Sequence, residues 1–352
     1  MMPSPSLEKN LKNMVFEELL SLMDAMGEKP FRAKQIYAWV FRRGVLAIDE
    51  MTDIKKEFRE RLKTEGYYIS KVRVSKTRKS SDHTIKLLVE LPDGVTVESV
   101  LIPEGKRLTL CVSTQAGCAL GCLFCVTGSI GAGRNLTMAE MCGIVHVAAD
   151  LVSSGGVKGF EAITNVVLMG MGEPLYNYDE VSRFLRALID AEGMAFSPRK
   201  VTLSTAGVVP GIKRLGRESD VNIAVSLNAT TDEVRSRLMP INKKYPISEL
   251  LEALKEYPLK NRRFITFEYV LIKGVNDALE DARRLVKLLK GIPSKINLIP
   301  FNPFSDSGFE RPDGKTIEAF KQLIHDAGYV VSLRASKGAD IQAACGQLKG
   351  KG

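Results

Sequence analysis

Cys118, Cys122 and Cys125 fall within one short segment, Gly117-Cys118-Ala119-Leu120-Gly121-Cys122-Leu123-Phe124-Cys125. The CxxxCxxC spacing offers three thiolates where a cubane iron-sulfur cluster or a structural zinc usually takes four protein ligands. One metal position is left open to an outside ligand, which suits a reaction centre better than a staple. On the residues alone two alternatives stand beside this reading: a zinc knuckle completed by a distant Cys or His, or small buried side chains. The three histidines, His83, His146 and His325, lie outside any local CxxC...HxxxH spacing.

The elements that must carry this loop alternate between strand and helix. Apolar runs predict strands over 108–113, 165–169, 200–203, 222–227, 264–271, 295–299 and 330–333. Helical stripes separate them, such as Val181, Phe184, Leu185, Leu188 and Ile189, or Ile317, Phe320 and Ile324. About six such units predict an α/β fold built on a partial (β/α)6 barrel. Ahead of it, residues 84–91 and 95–102 flank Pro92-Asp93-Gly94 and predict a β-hairpin. Earlier still, Val15, Leu19, Leu22, Ile36, Val40, Phe58 and Leu62 keep helical spacing. The expected division is a basic helical, helix-hairpin-helix-like RNA-binding domain over 1–68, a β-hairpin accessory segment over 69–103, the barrel over 104–335 and a tail over 336–352. No internal repeat and no low-complexity linker is present.

Parallel α/β folds gather ligands at the carboxyl ends of their strands. Gly170-Met171-Gly172-Glu173-Pro174, Ser204-Thr205-Ala206-Gly207, Ser226 with Asn228, and Pro300-Phe301-Asn302-Pro303 all fall there, and the cysteine triplet follows the first barrel strand. Each is also an ordinary turn composition; their joint placement on one rim is the signal. An amino-acid ligand chelating the open iron would present its amine to Glu173, with glycines letting the backbone approach.

Six cysteines among 352 residues are too few and too unevenly placed for a secreted disulfide scaffold. The first residues lack a leader pattern and no apolar run spans a bilayer, so a soluble, cytoplasmic protein without membrane partners is expected. A formal charge of +9 favours a polyanionic partner. Lys71, Arg73, Lys76, Arg78 and Lys79 cluster, and Phe31, Arg32, Lys34, Tyr37, Trp39, Arg42 and Arg43 interleave rings with cations. These segments read either as nucleic-acid contacts or as a charged edge strand and a solvated helix face.

The CxxxCxxC loop with Phe124 before its last cysteine, together with Gly170-Met171-Gly172-Glu173-Pro174, resembles the radical S-adenosylmethionine enzymes. Within them, Gln115-Ala116-Gly117-Cys118, Arg134-Asn135-Leu136-Thr137, the 164–175 segment, Pro240-Ile241-Asn242-Lys243-Lys244-Tyr245 and 340–348 resemble the dual-specificity methyltransferases that modify adenine C2 in 23S rRNA and tRNA. The likeness runs from the helical domain to the tail. It implies a 4Fe-4S cluster on Cys118, Cys122 and Cys125 and two S-adenosylmethionine molecules per turnover. Gly172, Glu173, Ser204, Ser226, Leu227, Asn228 and Asn302 would line the cofactor pocket. Asn228 stands where the family commonly has His, and Ala339 where an acid often precedes Asp340.

The same resemblance makes Cys345 the methyl carrier. A first S-adenosylmethionine methylates its thiolate, a 5'-deoxyadenosyl radical from a second removes a hydrogen from the S-methyl group, and the methylene radical adds to adenine C2. Glu98 would take the C2 proton, and Cys111 would form a disulfide with Cys345 as product leaves. A radical route is needed because C2 is electron-poor and cannot attack a sulfonium methyl. The resemblance further implies an external electron donor such as flavodoxin and a monomeric enzyme. Two readings stay open beside it: C8 methylation of the antibiotic-resistance type, which shares these residues, and a non-catalytic zinc-stabilised RNA-binding module.

Overall fold

The computed structural model describes residues 9–304 and 307–350; the first residues of the expected helical domain and the last two of the tail lie outside that range. The chain opens with α1 (Phe16–Ala25), α2 (Phe31–Tyr37), extended by a π-helical turn, and α3 (Lys56–Thr64). Leu19, Ile36, Val40 and Leu62 on the expected stripes are fully buried. Their burial is not a separate core: the buried apolar residues form one cluster from Leu11 to Leu348.

Four antiparallel strands follow: β1 (Arg73–Lys79), β2 (Ile85–Glu90), β3 (Thr96–Glu104) and β4 (Arg107–Cys111). The turn expected at Pro92-Asp93-Gly94 closes the hairpin between β2 and β3, with the Val95 N–H donating to Asp93 Oδ1 at 3.1 Å. The basic 73–79 segment is itself a strand at one edge of the sheet, six of its seven residues exposed. Its charge hid the strand from apolar periodicity, because only Val74 is half-buried.

After β4 comes the cysteine loop, then α4 (Val126–Ile130) and α5 (Met138–Ser153). The chain continues through β5 (Asn165–Leu168), α6 (Tyr178–Ile189), β6 (Val201–Thr205), α7 (Val209–Glu218), β7 (Asn222–Ser226), α8 (Asp232–Leu238) and α9 (Ile247–Lys255). It ends with β8 (Ile265–Leu271), α10 (Leu279–Leu288), β9 (Ser294–Pro300), α11 (Gly314–Asp326) and β10 (Val330–Leu333). From β4 to β10 every neighbouring pair is parallel, and the ten strands lie in sequence order with β1 and β10 at the two edges. Six helical crossovers therefore lie along an open parallel sheet, the expected partial barrel extended by an antiparallel wing. Buried strands such as β8, where six of seven residues are buried, are what a sheet covered on both faces requires.

Candidate active site

The start of the cysteine loop is fastened by the protein itself. The Ala116 N–H donates to Arg134 O at 2.9 Å and the Cys118 N–H to Gly131 O at 2.8 Å, so the start of the loop is held against the segment that follows α4. A Cβ on Gly133 would sit 1.4 Å from Ala116 O, so this close approach requires glycine. Thr137 caps α5 by accepting from the Glu140 N–H at 3.2 Å, and Arg134 grips Glu140 at 2.8 and 2.9 Å. The Arg134-Asn135-Leu136-Thr137 segment is thus the anchor of the loop.

Cys118, Cys122 and Cys125 face a cleft of about 960 Å³, together with Gly172, Glu173, Ser204, Ser226, Asn302 and Cys345. Among the described residues no three His, Cys, Asp or Glu side chains converge on one point as a single ion needs; the thiols share a wall instead. Burial pushes the Cys118 thiol up to about 11, with Cys125 adding to it. Burial likewise raises Cys122, followed by the nearby Cys125 and Cys118. Cys118 and Cys122 thus resist ionising on their own, and a cationic metal centre is what would hold them as thiolates. The donor set therefore fits an iron-sulfur cluster, which Cys118, Cys122 and Cys125 would hold with one iron left without a protein ligand. All six cysteines are free.

Opposite the thiols, Gly172 takes φ +98°, and a Cβ there would strike Gln115 at 2.5 Å. Glu173 lies wholly inside: Oε2 accepts from the Ala206 N–H at 2.7 Å and Oε1 from the Leu175 N–H at 3.0 Å. Burial raises its carboxyl to about 7, offset in part by those hydrogen bonds. A carboxylate has about four acceptor sites, so an amine in the cleft still finds a partner.

Two of the seven expected pocket residues lie off the cleft lining. Leu227 is fully buried, and its carbonyl accepts from Arg235 Nε at 3.0 Å. Asn228 takes φ +58°, with Oδ1 accepting from the Val270 N–H at 2.8 Å and its carbonyl from Asn276 Nδ2 at 2.7 Å. Asn and His are among the side chains that tolerate left-handed backbone best, which gives a conformational reason for either at this position.

Three residues that shape the site escaped sequence reasoning. Glu268, alone in the apolar run of β8, accepts from Ser204 Oγ at 2.6 Å and Ser226 Oγ at 3.2 Å and so orients both serines at the cleft. Arg235 is fully buried and donates to Leu227 O, to Ala206 O at 2.7 Å and to Asn242 Oδ1 at 2.8 Å. It ties the ends of β6 and β7 to the Pro240–Lys243 turn. Arg334, just past β10, lines a second cavity of about 760 Å³ with Cys111 and Cys345.

Cys345 stands on the wall common to the two cavities. Its residue is exposed to the cleft although protein surrounds it. That surrounding raises its thiol, and Arg334 pulls it back down. Cys111 is buried; burial and then Cys345 push its thiol up to about 12, opposed by Arg334. Asn302 Nδ2 donates to Cys345 O at 3.1 Å, and the Val126 N–H to Gly346 O at 2.7 Å, holding the tail over the start of α4. Asp340 accepts from Ser80 Oγ at 2.5 Å and the Ser81 N–H at 3.0 Å, latching the tail to the turn between β1 and β2.

Glu98 lies outside both cavities. Lys86 Nζ is 3.0 Å from Glu98 Oε1, both side chains nearly buried, and the Lys349 N–H donates to Oε2 at 2.8 Å. Both carboxylate oxygens are thereby engaged while the tail is in place.

An open parallel barrel segment with three thiols at the carboxyl end of its first strand defines a radical S-adenosylmethionine protein, and residues 112–288 match the Radical SAM superfamily. Residues 9–67 match the Ribosomal RNA large subunit methyltransferase N-terminal domain. The chain is 50% identical over 348 residues to the dual-specificity RNA methyltransferase RlmN of Desulfosudis oleivorans, covering 99% of this chain and 92% of that one. It is 51% identical over 343 residues to the RlmN of Syntrophotalea carbinolica, covering 97% and 90%. A radical SAM methyltransferase from Sphaerobacter thermophilus superimposes with a TM-score of 0.89 at 42% identity, covering 97% of this chain and 99% of that one. The chain belongs to the dual-specificity RNA methyltransferase RlmN family.

Proposed function

We propose that this protein is a radical S-adenosylmethionine enzyme that methylates C2 of adenine in 23S rRNA and in tRNA, using Cys345 as methyl carrier. The observation that carries the reading is the position of Cys345 between the cleft of the three cluster thiols and the cavity that holds Cys111. A 4Fe-4S cluster on Cys118, Cys122 and Cys125, when bound, supplies the electron that splits S-adenosylmethionine to the 5'-deoxyadenosyl radical.

The chain's own groups do the rest. Gly172, Glu173, Ser204, Ser226 and Asn302 shape the cofactor cleft, with Leu227 and Asn228 supporting it from behind. Arg334 favours the Cys345 thiolate that accepts a methyl group from the first S-adenosylmethionine. The cavity shared with Cys111 receives the adenine, so the new carbon–carbon bond forms on the side away from the cofactor. The adduct gives its unpaired electron back to the electron carrier and its C2 proton to a base; the Cys111 thiolate then attacks the Cys345 sulfur, the disulfide forms as the carbon–sulfur bond breaks, and the bonding pair stays on the methylene carbon, which takes a proton to become the product methyl. Glu98 is the acceptor of the C2 proton, a role that needs the Lys349 contact to open first.

The helical segment 1–68 serves RNA binding and the tail 336–352 delivers the carrier, in a cytoplasmic monomer supplied by an external donor such as flavodoxin. No helix among the described residues is long and apolar enough to cross a membrane. The test is anaerobic reconstitution with iron and sulfide, then assay on ribosomal and transfer RNA with labelled S-adenosylmethionine and mass spectrometry of the nucleosides. 2-Methyladenosine is expected; 8-methyladenosine as sole product would refute the choice of carbon. Stoichiometric zinc with no iron would refute the chemistry altogether.

A further inference from the structure

The antiparallel wing carries a cationic face that leads to the second cavity. Residues directly opposed in an antiparallel ladder point to the same side of the sheet. The registers align Arg78, Lys86, Val100 and Cys111 in one row across β1 to β4, and Lys76, Leu88 and Glu98 in the neighbouring row. Above these rows opens a third cavity of about 600 Å³, walled by Lys76, Arg78, Lys86, Glu98 and, from the tail, Lys349.

Four cations there face one carboxylate, and that carboxylate is already committed to Lys86 at 3.0 Å. Among the described residues Lys76, Arg78 and Lys349 make no ion pair, whereas Arg73 on the same strand is paired with Glu90 at 2.8 Å. Guarding an exposed sheet edge requires only that charges be present. It does not require them to converge on a concave site, in line with a buried Lys-Glu pair and a row that ends at a thiol.

We infer that this cavity binds backbone phosphate of the RNA strand next to the target adenosine, with Lys76 and Arg78 as its principal contacts. The inference rests on the RNA methyltransferase reading and adds to it a specific docking surface. Three strand spacings separate β1 from β4, about 14 Å, so a phosphate held at the edge leaves the adjoining base in reach of the Cys111 and Cys345 cavity. Lys349 extends the site onto the tail, so RNA bound here touches the segment that carries the methyl group.

The test uses the full-length reconstituted enzyme and fluorescently labelled tRNA, with anisotropy titrations from about 50 to 200 mM salt. For Lys76→Ala/Arg78→Ala the expected result is a loss of roughly tenfold in affinity near 0.1 M salt. The slope of log K against log salt should fall by about 1.4, two single-strand phosphate contacts at about 0.7 each. RNA-independent methylation of Cys345, read as the mass of the tail peptide, should be unchanged, since neither side chain belongs to the catalytic machinery. Lys287→Ala/Lys290→Ala removes two exposed cations in the last turn of α10 and just past its end and should leave the slope as in wild type. An unaltered slope in the Lys76/Arg78 variant, or an equal loss in the α10 variant, would overturn the site. A wild-type enzyme that binds no tRNA would instead sink the RNA methyltransferase reading beneath it.

Discussion

Arg235→Met tests whether the cofactor cleft is held from below by a single guanidinium. Arg235 is 0% exposed and makes three short hydrogen bonds, to Ala206 O at 2.7 Å, Asn242 Oδ1 at 2.8 Å and Leu227 O at 3.0 Å. Longer contacts reach Ser226 O at 3.3 Å and Tyr245 O at 3.4 Å. Burial lowers its pKa to about 10, a sign that leaving water costs this cation a good deal. Hydrogen bonds from a charged donor contribute roughly 1.5–3 kcal/mol each, and the desolvation relieved by removing the charge returns several kcal/mol. The net expected loss is about 3–5 kcal/mol. Unfolding entropy of about 2.1 cal/mol/K per residue over 352 residues converts this to a drop in Tm of about 4–7 °C. Anaerobic thermal unfolding followed by circular dichroism measures it. Arg235→Lys keeps the charge without the fork and should fall between the two. A Met variant that melts within about 1 °C of wild type would show that these carbonyls find other partners and that the clamp is not what secures β6 and β7.

The other predictions concern the thiols and the tail. Cys111→Ala should accumulate an RNA–protein adduct on denaturing gels, and Cys345→Ala should give neither adduct nor product; methylated RNA from the latter would remove the carrier role. Alkylation of Cys345 by iodoacetamide should rise with pH later than for a free thiol, because the protein surrounding it raises its thiol. Arg334→Gln takes away the cation that opposes this shift and should move the profile to higher pH; superimposable profiles would dismiss the pairing. Glu268→Leu releases Ser204 and Ser226 and should weaken S-adenosylmethionine binding about tenfold by calorimetry, with unchanged affinity counting against the assignment. Binding of RNA should speed amide exchange at Lys349, whose N–H now donates to Glu98; added protection there would argue that Glu98 stays capped.

Strand order, crossovers and the ligand-bearing rim were legible because buried parallel strands write themselves as apolar runs and their carboxyl ends as glycine and polar residues. Individual side chains were less so, for identifiable reasons. Arg235 and Arg237 are equivalent in a charged helical segment, and only packing sends Arg235 inward while Arg237 stays exposed. Glu268 looks like noise in Ile265–Leu271 until Ser204 and Ser226 arrive beside it from two other strands. Leu227 and Asn228 continue a strand end that does reach the cleft at Ser226, but the left-handed turn at Asn228 sends its side chain to Val270 instead. β1 carries its information in cross-strand register rather than hydrophobicity, which a linear pattern does not record.

The tail joins these parts, because one short segment both presents Cys345 and covers Glu98. Thr127 Oγ1 donates to Leu348 O at 2.7 Å, Gln347 Nε2 to Pro303 O at 3.1 Å, and the Lys349 N–H to Glu98 at 2.8 Å. Each such bond is worth about 1 kcal/mol net, so freeing residues 347–349 costs a few kcal/mol, within reach of a handful of RNA phosphate contacts. The anchors at and before Cys345 are independent of that release: Asn302 holds the Cys345 carbonyl and Asp340 holds the tail to Ser80 and Ser81. The end of the tail can therefore lift from Glu98 while Cys345 keeps its place between the two cavities. In the proposed scheme that separation would keep Glu98 shielded until RNA arrives without displacing Cys345.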